Sequence, residues 1–226
     1  MATVISHDFN PAETGRPRAA APPGRIRWSG VISAIQPRAW VWRYKTDNRT
    51  HNLTGFNLWV KGETGKVAVA ISALQQQKLG FRLGDTASGT AWPVQGKKRE
   101  IADLYRAGDL KVLDRPDRLA DQDGPPFVDI IPDIEIYRQR GCRMLDATLW
   151  RAACMPCLWA NKSRVEIEFN FGKSKRYRSE TFCYGPKSCP KYAMGEPREV
   201  PYKDDWPSLD DGCLDSCVTG SRGEDD

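Results

Sequence analysis

The sequence predicts a mainly β chain with a few short helices, built as a five-stranded barrel followed by a small four-cysteine unit. Three observations predict it. Five strand-like runs, rich in β-branched and aromatic residues and broken by Gly-containing turns, lie between Arg25 and Asp114. One short helical signal falls between the third run and the fourth. Further on, two cysteine pairs bracket a pair of alternating runs. With 226 residues, 40% hydrophobic and 28% charged, the chain has material for one or two cores and is not of a wholly disordered composition.

Residues 1–24 are rich in Pro and Ala without periodicity and are expected to form a flexible arm. "RIRWSGVISAIQPRAWVWRY" is expected to be one long bent strand, with Gly30 and Pro37 as bend points. "TDNRTHN" is expected to be a loop, "LTGFNLWVKG" the second strand, "GETG" a turn and "KVAVAIS" the third strand. "SALQQQKLG" has the marks of a helix capped at Ser72 and closed by Gly80. "GDTASGTAWPV" and "ADLYRAGDLKVLD" supply strands four and five. Three strands, a helix and two strands are the order of an OB-like barrel, expected over residues 25–118. "WVKGETGKV" is not a phosphate-binding loop: the first Gly is missing and Val67 stands where Ser or Thr would meet magnesium.

Residues 119–141 are expected to be a linker and a strand, because "FVDIIPDIEIY" alternates. Asp129, Asp133 and Glu135 would then share a face, either as solvated charge or as the metal site of a nuclease. A nuclease-type lysine partner is absent there. "LDATLWRAA" is expected to be a short helix capped by Asp146, and "VEIEFNF" and "RYRSETFC" are expected to pair about "GKSK".

Cys154 and Cys157 form C-x-x-C, and Cys183 and Cys189 form C-x5-C. A hairpin that starts after one turn and ends at the other brings both pairs together, giving a zinc-ribbon-like domain over 142–203. Four thiolates fill the tetrahedron of a structural zinc and leave no open position for catalysis. Iron or an iron–sulfur cluster uses the same ligands; zinc is preferred because nothing else indicates electron transfer. Cys142, Cys213 and Cys217 stay outside this set, and residues 204–226 are expected to form an acidic, disordered tail.

In the first strand Arg38, Trp40, Trp42 and Tyr44 share one face. In the second, Trp59 and Lys61 oppose Phe56, Leu58 and Val60. Trp40, Trp42 and Trp59, flanked by Arg38, Arg43, Lys45, Arg49 and Lys61, would make a stacking platform for single-stranded DNA or RNA. The structural alternative is that these tryptophans cover the barrel against the C-terminal domain. Residues 1–118 hold 19 Lys and Arg against 10 Asp and Glu, a net +9, and the rest holds 15 against 19, a net −4. The basic half suits a polyanion.

No apolar run approaches the ~20 residues of a membrane span, and "MATVISHDFN" has no secretory h-region. A cytoplasmic setting is expected, where clustered thiols bind metal more often than they pair. His7 and His51 fall in the arm and the first loop, so no Cys–His or Ser–His–Asp nucleophile is expected.

"VISAIQPRAWVWRYKTDNRTHNLTGFNLWV", "RGCRMLD" and "ETFCYGPKSCPKY" resemble a widespread bacterial family without an assigned activity, over roughly residues 25–203. The resemblance implies the same domain layout and the grouping of Cys154, Cys157, Cys183 and Cys189. The expected function is a non-enzymatic protein that binds single-stranded nucleic acid and is held by a structural zinc. The alternatives are a protein-interaction adaptor in a nucleic-acid-processing or defence assembly, and the nuclease.

Overall fold

The computed structural model describes residues 24–43, 50–96, 99–117, 124–128, 130–169 and 174–195. The chain runs β1 (Ile26–Arg43), β2 (Thr50–Gly62), β3 (Gly65–Ile71), α1 (Ala73–Leu79), β4 (Thr86–Pro93), β5 (Leu104–Asp114), α2 (Ile134–Arg140), β6 (Arg143–Met144), α3 (Ala147–Leu149), β7 (Ala160–Phe169) and β8 (Ser174–Cys183). A π-helical turn, Trp150–Cys154, continues α3.

The first five strands form a ring. β1 pairs with β2, β2 with β3, β3 with β5, β5 with β4, and β4 with the first half of β1. The ring closes because β1 is long and bent. It serves β4 over Ile26–Val31 and β2 over Val31–Trp42, with register shifts at Ile32/Ala34 and Arg38/Ala39. The expected bends at Gly30 and Pro37 thus fall within a few residues of the observed ones. Gly30 and Gly55 serve close approach: a Cβ would lie 2.3 Å from the Lys61 carbonyl oxygen at Gly30 and 2.1 Å from that of Ile71 at Gly55.

Ile32, Ile35, Val41, Phe56, Leu58, Val60, Val69 and Ile71 fill the interior, with Phe81 entering behind α1. Helix α1 forms where its local signals place it. Ser72 accepts from the Gln75 amide, the Gln75 side chain accepts from the Ser72 amide, and Gly80 closes the helix at φ +56°. Buried Asp85, at the mouth of β4, ties the Arg82 amide and the Arg115 guanidinium, both at 2.9 Å.

The second half of β1 leaves the ring and pairs in parallel with β7: Val41 with Val165, Trp42 with Glu166 and Arg43 with Ile167. The β7–β8 hairpin is the one expected, and β6 closes its far edge. Val165, Ile167, Phe182 and Tyr184 join the barrel's own hydrophobic cluster. The sheet therefore continues without a break from the ring into the hairpin.

The strand expected in "FVDIIPDIEIY" is instead helix α2. Asp133 accepts from the Glu135 amide as N-cap, and Ile134 and Tyr137 are buried one turn apart. Helical spacing buries that pair, whereas the alternation of isoleucines indicated a strand.

Candidate nucleic-acid interface and cysteine site

Along β1, Ile35 and Val41 face the interior, and Gln36, Arg38, Trp40 and Trp42 face outward. The outward face has two parts. Around Gln36 it is covered by the π-turn: the Gln36 side-chain Nε2 donates to the Met155 carbonyl at 2.8 Å, and the Asn161 side chain donates to the Pro37 carbonyl. Trp59 belongs to this covered part. It pairs in register with Ala34, and its ring packs on Trp150 with centroids 6.2 Å apart.

The structure therefore does not unite the three tryptophans. Trp40 is opposite Asn52, six residues along β1 from the Trp59 position, or about 20 Å. Trp59 takes the covering role that was its alternative. Lys61 is exposed but lies farther still, opposite Val31. Arg38 is engaged by Glu100 and Thr54 rather than free for phosphate. The backbone alone is described for Arg43, and Tyr44, Lys45 and Arg49 lie outside the described residues.

Trp40 and Trp42 do form an aromatic pair, with centroids 4.7 Å apart and planes tilted by 44°, and Trp40 is 46% exposed. The parallel register extends the same face onto β7. One step back from the Val41–Val165 pair, Trp40 lies beside Arg164. One further step back, the Ser163 hydroxyl donates to the Ala39 carbonyl at 3.2 Å.

Arg164 has Lys162 two residues before it on the same strand face. The Lys162 ammonium sits 5.2 Å from the Trp150 ring, and Arg151 follows Trp150. Burial, then the charges of Arg151 and Arg164, lower the Lys162 pKa. Glu166, next on this face, is held by Lys175 and Tyr177 and lies 3.7 Å from Arg99. Lys162, Arg164 and Arg151 were absent from the sequence expectations. Their signal was the alternation "KSRVE", where Lys162 and Arg164 flank Ser163 ahead of buried Val165.

The four cysteines reach one pocket. Cys154 and Cys157 come from the π-turn and the turn after it, Cys183 from the end of β8, and Cys189 from the turn beyond. All four are free thiols, and Leu145, Trp159, Ala160 and Tyr192 line the same pocket. Among the described residues no three His, Cys, Asp or Glu side chains converge into a metal-holding group.

The cysteine surroundings are nonetheless built for sulfur as an acceptor. The Gly185 amide donates to the Cys183 sulfur at 3.3 Å, and the Trp159 and Phe127 amides bond Cys157. Burial pushes the Cys157 thiol up to about 12 and Cys154 up to about 11. Burial also raises Cys183, against the Gly185 amide and the Arg143 guanidinium. Arg143 orders the second turn: it donates to the carbonyls of Pro186 at 2.8 Å and Lys187 at 3.4 Å and stacks on Tyr192 at 3.7 Å.

Two expectations about the other titratable groups are corrected. His51 is part of β2, not a loop, and its Nδ1 lies 3.4 Å from the Cys142 sulfur and 3.5 Å from the Tyr184 hydroxyl. Phe182 meets the His51 ring edge-on, and Cys142 and Tyr184 are buried, so this Cys–His contact is enclosed. Asp133 caps α2, and Glu135 pairs with Arg138 on that helix, which removes them from a shared strand face. Asp129, His7, Cys213 and Cys217 lie outside the described residues.

Among the described residues no helix is long and apolar enough to cross a membrane. No family model, curated protein or solved structure matches the chain.

Proposed function

We propose that the chain binds single-stranded nucleic acid on the outward face shared by β1 and β7. The observation that carries this is the row of Trp42, Trp40, Arg164, Lys162 and Arg151: an aromatic pair, with Trp40 exposed and Trp42 half-buried, continuing into clustered cations. Bases stack on such a pair without regard to sequence, and the cations follow the backbone. The five-strand ring, with α1 between its third and fourth strands, supports an OB-like barrel as the scaffold.

A structural zinc held by Cys154, Cys157, Cys183 and Cys189 belongs to the same proposal. Its support is the shared pocket and the amide donors aimed at Cys157 and Cys183. A zinc bound by four thiolates carries excess negative charge, which such N–H groups and the Arg143 guanidinium offset. The metal would lock the π-turn against β8 and so hold Arg151 and Lys162 in place.

Titration with labelled single-stranded DNA, single-stranded RNA and duplex tests the proposal. Binding of a single strand in the micromolar range at low salt, with weaker binding of duplex, is expected. Equal affinity for duplex contradicts stacking on Trp40 and Trp42, because duplex bases are already stacked.

A protein-interaction adaptor is favoured by one separate observation. Leu74 is 71% exposed and Ile130 68%, and both line the groove between α1 and the start of α2. Retention of a protein partner by the native chain, lost in Leu74→Ser together with Ile130→Ser, would support that role.

A further inference from the structure

We infer that the Arg151, Lys162 and Arg164 cluster is a terminal-phosphate site, which receives the phosphorylated end of a single strand whose bases lie on Trp40 and Trp42. The end recognition rests on the nucleic-acid function proposed above; the phosphate site rests on three observations of its own.

The first is that the outward face is closed at one end. β1 and β7 run in parallel with Val41 beside Val165, so Trp40 is level with Arg164 and Arg38 with Lys162. One step further back the Asn161 side chain donates to the Pro37 carbonyl, and at the next level the Gln36 side chain donates to the Met155 carbonyl at 2.8 Å. The π-turn Trp150–Cys154 and Met155 after it thus stand as a wall just beyond Lys162. A strand lying on Trp42 and Trp40 meets the Lys162 level about 7 Å further on and is then blocked. The end of a strand fits there better than its middle.

The second is unpaired positive charge gathered at that closed end. Among the described residues no carboxylate is ion-paired with Arg151, Lys162 or Arg164. At the other end of the row, Glu166 lies beside Trp42 and is held by Lys175 and Tyr177. An internal phosphodiester carries a single charge. A phosphate monoester carries about −1.5 to −2 at pH 7 and three acceptor oxygens. Three cationic side chains match that charge, and a guanidinium can grip two of the oxygens at once.

The third is how the cluster is held. The Lys162 ammonium is half-buried and sits 5.2 Å from the buried Trp150 ring, which Trp59 backs. Burial, then the charges of Arg151 and Arg164, lower its pKa. The Arg164 Nε is buried without a hydrogen-bond partner among the described residues, so the protein itself does not satisfy that guanidinium. Cations fixed side by side and partly withdrawn from water gain most from a compact dianion, because the weaker local screening strengthens the attraction. Freely moving surface lysines give no such preference.

The test titrates the native chain with an oligothymidylate of about 8 nucleotides, labelled on an internal base. It carries a 5′-phosphate, a 3′-phosphate or a hydroxyl at both ends. One phosphorylated form is expected to bind about five- to tenfold tighter than the hydroxyl form, and the form that does so gives the polarity of the strand. Lys162→Gln and Arg151→Gln should each bring that ratio close to one. Trp40→Ala should weaken all three forms alike and keep the ratio. Equal affinities of the three forms for the native chain overturn the inference and leave the nucleic-acid function standing. A ratio that survives both Lys162→Gln and Arg151→Gln also overturns it.

A second readout needs no oligonucleotide. Inorganic phosphate should slow acetylation of the Lys162 amine, followed by mass spectrometry, relative to chloride at equal ionic strength. The protection should vanish when Arg151→Gln and Arg164→Gln are combined. If no oligonucleotide binds but phosphate protects Lys162, the nucleic-acid function fails and the phosphate site stands. If no oligonucleotide binds and phosphate gives no protection, both are refuted.

Discussion

The Trp59 ring packs against the Trp150 ring, with centroids 6.2 Å apart. This contact joins the second barrel strand to the turn that carries Cys154. It makes the aromatic content of β2 part of the seam between the ring and the cysteine site. Trp150→Ala should therefore cost about 3–5 kcal/mol of stability, the usual range for emptying a large buried aromatic site, and Trp59→Ala less, because its ring is only partly buried. The double variant should cost less than the sum, because each ring is the other's neighbour. Urea unfolding measures all three.

The cysteine site yields a prediction about metal. Purified protein should hold close to one zinc per chain by elemental analysis. Cys157→Ser and Cys183→Ser should each lose the metal and the protease resistance of the β7–β8 region, since binding at a structural site is coupled to folding. Cys142→Ser should keep the zinc, because Cys142 faces His51 and Tyr184 rather than the shared pocket. Visible iron in the pure protein would reassign the metal.

Asp85 anchors the start of β4 with no exposed side-chain surface. Asp85→Ala strands the Arg82 amide and frees Arg115. A loss of about 2–3 kcal/mol is expected, the range for a hydrogen bond to a charged group with a buried partner left over. Thermal unfolding of Asp85→Ala beside Arg115→Ala tests it; the alanine at 85 should be the more damaging, since Arg115 is partly solvated.

Glu166 predicts a pH dependence. Burial pushes its carboxyl up, but the hydrogen bonds from Lys175 and Tyr177 and the charges of Lys175 and Arg99 outweigh it, so the pKa lies below its ordinary 4.5. A carboxylate lowered in the folded state stabilises the fold fully above its unfolded pKa, and the contribution drains away as pH falls through the folded one. Stability should therefore decline below about pH 4.5. Lys175→Met should raise the folded pKa of Glu166 toward its unfolded value, lowering stability at neutral pH and flattening that decline in acid-unfolding curves.

The parts legible in the sequence are those decided locally. Ser72, Gln75 and Gly80 place α1 because capping involves only neighbouring backbone. The same holds for Asp146, which caps α3 through the Leu149 amide. The alternation of Phe56, Leu58 and Val60 gave the inward face of β2 correctly because one face of a barrel strand must be buried. The "DIIPDIEIY" stretch misleads because isoleucines at 130, 134 and 136 suit a period of two, while the cap at Asp133 and the burial of Tyr137 decide for a helix.

What stayed hidden depends on partners distant in the chain. Trp59 looked exposed until Trp150 arrived from 91 positions away to cover it. His51 looked solvated until Cys142 and Tyr184 closed on it. The β1–β7 pairing is a parallel contact between remote segments, and without it nothing connects Trp40 to Arg164.

The most direct measurement is fluorescence anisotropy of a labelled single strand across a salt series, with the native chain, Trp40→Ala and Arg164→Ala. Stacking depends little on salt, so Trp40→Ala should weaken binding by about 1–3 kcal/mol at every ionic strength. A phosphate contact releases counterions, so Arg164→Ala should flatten the salt slope by about 0.7. If the native chain binds no single strand in the micromolar range at low salt, or if both variants bind as it does, the outward face of β1 and β7 is not a nucleic-acid site.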